Sequence, residues 1–337
     1  MSINEDPKQL KPADFASDQE VRWCPGCGDY AILKAIQKCL AELSADTAKT
    51  VFVSGIGCSS RLPYYMSTYG FHTIHGRAPA FATGIKITNP ELDVWIITGD
   101  GDALSIGGNH LIHTLRRNLD CQILLFNNEI YGLTKGQASP ASRPGTVSPS
   151  TPDGSHENPL SACELALSAG ASFVARGVDT SIKQLIPTLK AAKEHKGSSF
   201  LEIFQNCIVY NDGVFNSFTE KSTLEDKQIY VENGKPLIFG ENKNKGLIMN
   251  DNYSALEIID LEKDKNKINK LIIHDETNKS LAYFLTQMKE PDFPMAIGVL
   301  FRSMKPTLNE HFLKTRSSNK NNINEIINKG QTWTINE

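Results

Sequence analysis

The chain has 337 residues, and 35 Lys+Arg against 38 Asp+Glu leave a formal net charge of −3. Hydrophobic residues at 40% and charged residues at 22% exclude collagen, coiled coil and wholesale disorder. The near-neutral balance excludes a general attraction to nucleic acid or anionic membrane, and no run approaches the ~20 apolar residues that cross a bilayer.

Residues 1–22 read as a polar arm without the apolar core of a secretory signal, so the cytoplasm is the expected compartment. Ile32, Leu33, Ile36, Cys39, Leu40 and Leu43 recur at helical spacing and predict a helix from Asp29 to about Leu43. Thr50–Ser54 is a short apolar run stopped by Gly55, which predicts a strand. Residues 78–88 suit a helix of small residues. Asp93–Thr98 is the next strand, Gly107–Asn118 a helix, and Cys121–Phe126 a third strand. Residues 136–158, rich in Pro, Ser, Thr and Gly, read as a long surface loop. A helix (160–170), a strand (171–176), a helix (180–194) and a strand (198–205) follow. This alternation predicts an α/β fold: a parallel sheet with helices on both faces. Beyond residue 211 the pattern weakens, with strand-like runs only at 271–275 and 294–301. The expected division is an arm (1–22), a core domain (23–211), an irregular C-terminal region (212–313) packing on the core or on a partner, and a flexible tail (314–337). There is no internal repeat.

Four motifs share one place in this pattern, just after a predicted strand: Gly55–Arg61 (GIGCSSR), Gly99–Asp102 (GDGD), Asn127–Gly132 (NNEIYG) and Asn206–Cys207. Ligands of open α/β sheets bind outside the carboxyl ends of the strands, so these motifs converge if the sheet forms. Asp100 and Asn128 are one strand–helix–strand step apart. A carboxylate, an amide oxygen and a backbone carbonyl are the hard ligands Mg²⁺ prefers, and Mg²⁺ brings phosphate oxygens with it. GDG followed at this distance by NN is the fingerprint of the diphosphate-binding half of thiamine diphosphate enzymes; the alternative, two unrelated turns, is disfavoured because both pairs follow apolar strands.

Seven cysteines, an odd number, disfavour a fully paired disulfide framework. Cys24 and Cys27 form a CxxC, Cys58 lies in a glycine-flanked loop and Cys207 follows a late strand. Four thiolates from such loops suit a [4Fe–4S] cluster. Zinc would use the same ligands, and a redox dithiol is a weaker third reading of WCPGC. The neighbouring diphosphate site favours the cluster. Cys39, Cys121 and Cys163 read as buried small hydrophobes.

Together these residues resemble the β subunit of 2-oxoacid:ferredoxin oxidoreductases, most closely the 2-oxoglutarate type. The resemblance rests on WCPGCGDY (23–30), GIGCSSR (55–61), HGRAPAFATG (75–84), GDGDALSIGGNHLIHTLRRN (99–118) and NNEIYGLTKGQASP (127–140), and thins after Cys207. It implies the thiamine diphosphate-binding fold and one [4Fe–4S] cluster on Cys24, Cys27, Cys58 and Cys207. It also implies Mg²⁺ on Asp100, Asn128 and the carbonyl of Ile130. Ile56, Gly57, Cys58, Ser59, His75, Gly101, Asp102, Gly132 and Leu133 match positions that touch the cofactor. Arg61 matches the residue that pairs with the substrate carboxylate, a group an Arg fork suits. Lys135 is a weaker candidate for a carboxylate or coenzyme A contact. His72 reads as structural, and His110 and His113 lack a third metal ligand.

The implied activity is oxidative decarboxylation of 2-oxoglutarate with coenzyme A to acyl-CoA and CO₂, electrons passing through the cluster to ferredoxin. No second thiamine domain is visible. An α subunit carrying the pyrimidine-binding domain is therefore expected to complete the site, in a heterodimer or dimer of heterodimers, and the single chain is expected to be inactive. Pyruvate or a broader range of 2-oxo acids, a non-redox thiamine enzyme, and a non-catalytic α/β protein with structural zinc are the competing readings.

Overall fold

The computed structural model describes residues 10–316, 323–329 and 333. Strands buried on both faces read as continuous apolar runs, and the four such runs of the first 210 residues are β1 (Thr50–Ser54), β3 (Asp93–Gly99), β4 (Cys121–Asn127) and β8 (Ser198–Phe204). The remaining strands are β2 (Tyr69–His72), β5 (Ile130–Tyr131), β6 (Gln137–Ala138), β7 (Phe173–Val178), β9 (Gln228–Val231), β10 (Ile238–Phe239), β11 (Lys245–Met249), β12 (Leu256–Asp260) and β13 (Met295–Arg302). Eight of them form one sheet in the order β2-β1-β3-β4-β8-β7-β13-β9. Every pair is parallel except β13 with β7. Residues beyond 211 thus add β9 and β13 to the central sheet and build a separate antiparallel sheet, β10-β11-β12.

The helices α1 (Asp29–Glu42), α2 (Ala78–Thr88), α3 (Asp100–Leu104), α4 (Gly108–Arg116), α5 (Ala162–Ser168) and α6 (Ile182–Glu194) cover the sheet. Side chains alternate across a strand, and the core divides accordingly. Val51, Val53, Val94, Ile96, Ile123 and Leu125 pack with Ala82, Leu111, Leu115 and Ala166 on one face. Phe52, Trp95, Ile97, Leu124 and Phe126 pack with Ile32, Ile36, Leu40, Leu185 and Leu189 on the other. The helices-on-both-faces expectation is therefore met.

Three local expectations change. The helix expected at 107–118 is α4, but a short helix before it, α3, was not expected; the two are separated at Ser105 (φ −90°, ψ −108°). The strand expected at 271–275 is reduced to isolated bridges from Leu271 to Ile248 and from Ile273 to Pro236. An edge strand, β2, was not expected; its residues are exposed throughout, with Tyr69 and Phe71 facing out. Of the expected tail, residues 314–316 end the helix Leu308–Arg316, Ile323–Lys329 is helical and Trp333 is exposed; the rest lies outside the described residues.

Candidate active site

β1, β3, β4 and β8 are adjacent and parallel, so the four motifs that follow them meet at one rim. A cavity of about 180 Å³ opens there. Ile56, Gly57, Cys58 and Ser59 line it from the loop after β1, Gly99 to Asp102 from β3 and the start of α3, and Phe126, Asn128 and Ile130 to Thr134 from the end of β4 onward. His75 closes it from the loop before α2. Every residue matched to a cofactor contact or to Mg²⁺ lies on this one wall.

Asp102 organises the rim. One carboxyl oxygen accepts from the backbone N–H of Ile56 (3.0 Å) and Gly76 (2.7 Å) and meets His75 Nδ1 (2.6 Å). The other accepts from Thr98 Oγ1 (2.6 Å). Thr98 and Asp102 are both buried. A single carboxyl thus ties the loops after β1 and before α2 to the end of β3, and fixes the His75 ring toward the cavity. Gly76 permits the close approach: its φ is +70°, and a Cβ there would stand 2.5 Å from the backbone nitrogen of Gly107. Gly101 lies under the Tyr131 ring, where a Cβ would stand 2.1 Å from Cε1; Tyr131 Oη donates to the Gly101 carbonyl (3.2 Å).

The donor set fits a divalent cation with a diphosphate. Asp100 is buried and its carboxyl is pushed up to about 7 by desolvation, against a hydrogen bond from Ser139. Asn128 is also buried, and its Oδ1 accepts from the Ile130 N–H (3.2 Å). A buried carboxyl whose charged form is disfavoured by desolvation is one that an adjacent cation would stabilise. Ser59 Oγ is buried on the cavity wall and has no hydrogen-bond partner, a donor left over for an acceptor such as a phosphate oxygen.

Against this cavity lies a second, of about 230 Å³, lined by Cys24, Cys27, Cys58 and Cys207. Residues 183 apart in sequence are brought to one wall because the loops after β1 and β8 flank the Trp23–Cys27 turn. Cys58, Asn128, Gly132 and Leu133 line both cavities. The thiols are free; burial raises Cys27 beyond the usual range and pushes Cys58 up to about 12. Four thiols on one wall suit a cationic metal centre, which would hold them as thiolates. Among the described residues no three His, Cys, Asp or Glu side chains gather closely enough for a single ion. Trp23 secures the shared wall: its Nε1 donates to the Cys58 carbonyl (2.7 Å) and its ring meets Tyr65 and Tyr30 edge-on.

Not every candidate lines the cofactor-sized cavity. Arg61 lies on the cysteine cavity and on a groove with Arg22, Tyr64 and His72; that groove shares Gly57 and Leu133 with the first cavity. Lys135 borders the cysteine cavity. His72 stacks against Tyr64, and His110 contacts Arg77. Cys39, Cys121 and Cys163 are buried away from both cavities. Sequence reasoning missed Thr98, Tyr131, Ser139, Trp23 and Gln205 as supports of the site. Trp23, Tyr131 and Ser139 lie inside quoted motifs; nothing in the sequence marks the other two.

No helix among the described residues is long and apolar enough to cross a membrane. Residues 55–203 match the family described as thiamine pyrophosphate enzyme, C-terminal TPP binding domain. The chain is 44% identical over 335 residues to the 2-oxoglutarate oxidoreductase subunit KorB of Mycobacterium tuberculosis, covering 96% of this chain and 88% of that one. It is 51% identical over 200 residues to a 2-oxoacid:ferredoxin oxidoreductase β subunit of Aeropyrum pernix, covering 59% and 63%. Among solved structures, a 2-oxoglutarate:ferredoxin oxidoreductase from Magnetococcus marinus, with 2-oxoglutarate, coenzyme A and succinyl-CoA bound, superposes with a TM-score of 0.76 at 32% identity, covering 96% and 97%. With the strand-end cavity and the length of these matches together, the chain belongs to the β subunits of the 2-oxoacid:ferredoxin oxidoreductases.

Proposed function

We propose that the chain is the thiamine diphosphate- and cluster-bearing subunit of an enzyme that oxidatively decarboxylates 2-oxoglutarate with coenzyme A. Acyl-CoA and CO₂ are the products and ferredoxin the electron acceptor. The observation that carries this is the shared wall: Cys58 borders both the strand-end cavity and the four-cysteine cavity. Residues 23–211 hold both sites in this reading. Asp100, Asn128 and the Ile130 carbonyl would hold Mg²⁺, and Cys24, Cys27, Cys58 and Cys207 a [4Fe–4S] cluster. Bound thiamine diphosphate supplies an electron sink for decarboxylation and the cluster a one-electron acceptor.

The chain's own residues bind and orient. Ser59 offers an unpartnered hydroxyl to a phosphate oxygen. Asp102 holds His75 at Nδ1, which turns Nε2 of the imidazole to the cavity and fixes its tautomer. Arg61 lies where the groove beside the N-terminal arm meets Gly57 and Leu133. In this reading its guanidinium would receive a substrate carboxylate at the mouth rather than beside the diphosphate. An α subunit with a pyrimidine-binding domain completes the site, in a heterodimer or a dimer of heterodimers.

The test is anaerobic purification with and without the partner. The complex is expected to be brown, to contain iron and acid-labile sulfide, and to bleach with dithionite. It should reduce viologen dyes only with 2-oxoglutarate and coenzyme A, whereas the single chain should not turn over. A colourless, zinc-loaded complex, or full activity after replacing both Cys24 and Cys27 by Ser, overturns the reading. A faster rate with pyruvate corrects the substrate alone.

A further inference from the structure

Gln205 is the residue after β8, fully buried, with its backbone N–H bound to the Asn127 carbonyl (2.9 Å). Its side chain spans the two sites. Nε2 donates to Cys27 Sγ (3.2 Å) and to the Asn206 carbonyl, and Oε1 accepts from Asn128 Nδ2 (2.9 Å). The orientation is determined by the partners, because a flipped amide would face its oxygen to a carbonyl and to sulfur, and its nitrogen to another amide nitrogen. Asn128 is thereby oriented in turn: its nitrogen is engaged by Gln205, and its oxygen, which accepts from the Ile130 N–H (3.2 Å), keeps its second lone pair for a cation.

We propose that Gln205 is a positioning residue joining the two centres: it sets the Asn128 amide for the divalent cation and donates an N–H···S hydrogen bond that tunes the iron–sulfur centre through Cys27. This rests on the function proposed above. Two physical effects follow. Partners that orient a metal ligand raise metal affinity, by roughly tenfold to a hundredfold where measured. Hydrogen bonds to cluster sulfurs stabilise the more negative, reduced form and so raise the reduction potential. A glutamine that merely capped the Asn206 carbonyl would change neither.

The experiment uses the native complex, purified without oxygen, as wild type, Gln205→Met and Gln205→Glu. Methionine matches the length and removes both polar contacts. Glutamate, at a pH well above its ordinary range, keeps an oxygen for Asn128 Nδ2 and removes the donor to Cys27. The cluster midpoint is read by electron paramagnetic resonance during a redox titration. Mg²⁺ half-saturation is read by calorimetry with thiamine diphosphate present. For Q205M, the reduction equilibrium should fall by about tenfold, 59 mV for one electron, and the Mg²⁺ half-saturation should rise by roughly tenfold. For Q205E, the potential should fall while the Mg²⁺ half-saturation stays within about threefold of wild type. If Q205M does not fold, the split seen in Q205E decides. Unchanged potential in a folded variant that retains its cluster overturns the proposal while the functional reading stands. A wild type without an iron–sulfur signal overturns both.

Discussion

Thr98→Val tests the Asp102 hub with a change of shape close to zero. The hydroxyl it deletes donates to Asp102 across 2.6 Å, with both residues almost fully buried. Valine keeps the methyl packing inside β3 and leaves one carboxyl oxygen without its donor. A hydrogen bond to a carboxylate contributes about 1.5–3 kcal/mol, and an orphaned buried acceptor puts the loss in that range. With roughly 2.1 cal/mol/K of unfolding entropy per residue, a chain of this length has about 0.7 kcal/mol/K in total, so the melting midpoint should fall by about 2–4 °C. The local effect should be larger than the global one. Asp102 also holds Ile56 N, Gly76 N and His75, so loosening it should weaken thiamine diphosphate binding by roughly threefold to tenfold, about 1 kcal/mol. Calorimetric melting and cofactor titration of wild type, T98V and T98S read both effects. Thr98→Ser keeps the hydroxyl and should restore cofactor affinity. A T98V melt that superimposes on wild type, or T98S binding no better than T98V, refutes the hub.

Four further outcomes follow from the geometry. Trp23→Phe removes the bond to the Cys58 carbonyl while keeping most of the ring packing against Tyr65; it should cost about 1 kcal/mol and make the visible colour fade several-fold faster in air, and an unchanged fading rate would show that Trp23 does not secure that wall. Gly76→Ala puts a Cβ against Gly107 at positive φ; a loss of about 2–4 kcal/mol by urea unfolding, with weaker cofactor binding, is expected. Arg176 and Glu202 form a buried ion pair at 3.0 Å; Arg176→Met should cost about 3–5 kcal/mol, and R176M/E202L should regain most of it. His195 is buried, bound to Ser172 (2.8 Å), and held near 4 by desolvation and then by Arg302. The unfolded chain binds a proton there from about pH 6.5 downward and the native chain does not, so stability falls as pH drops from 6.5 to 4 and levels below. The contribution is on the order of 3 kcal/mol, and His195→Gln should flatten that part of the stability profile.

The sheet and its ligand-bearing rim were legible because strands covered on both faces must be apolar at every position: TVFVS, DVWIIT and CQILLF have no other economical explanation. The motifs after them were legible because glycine and short polar residues concentrate where backbone approaches a ligand. β2 was not, since YGFH is short and exposed and carries no periodicity. The antiparallel return of β13 was not, because pairing direction is set by the connection and not by composition. LIIHD is apolar enough for a strand, yet Leu271 and Ile273 find only single bridging partners on different neighbours. Helix α3 lay hidden in the GDGD motif, which reads as a ligand-binding turn. Gln205 and Thr98 show the general limit: a polar side chain that works by being buried against another loop has no signature until that loop is in place.

Strand β2 ends the sheet with one hydrogen-bonding side open and with Tyr69 and Phe71 turned outward. Such a margin is a template for another extended segment. Preparations of this chain by itself are therefore expected to self-associate along that margin as concentration rises.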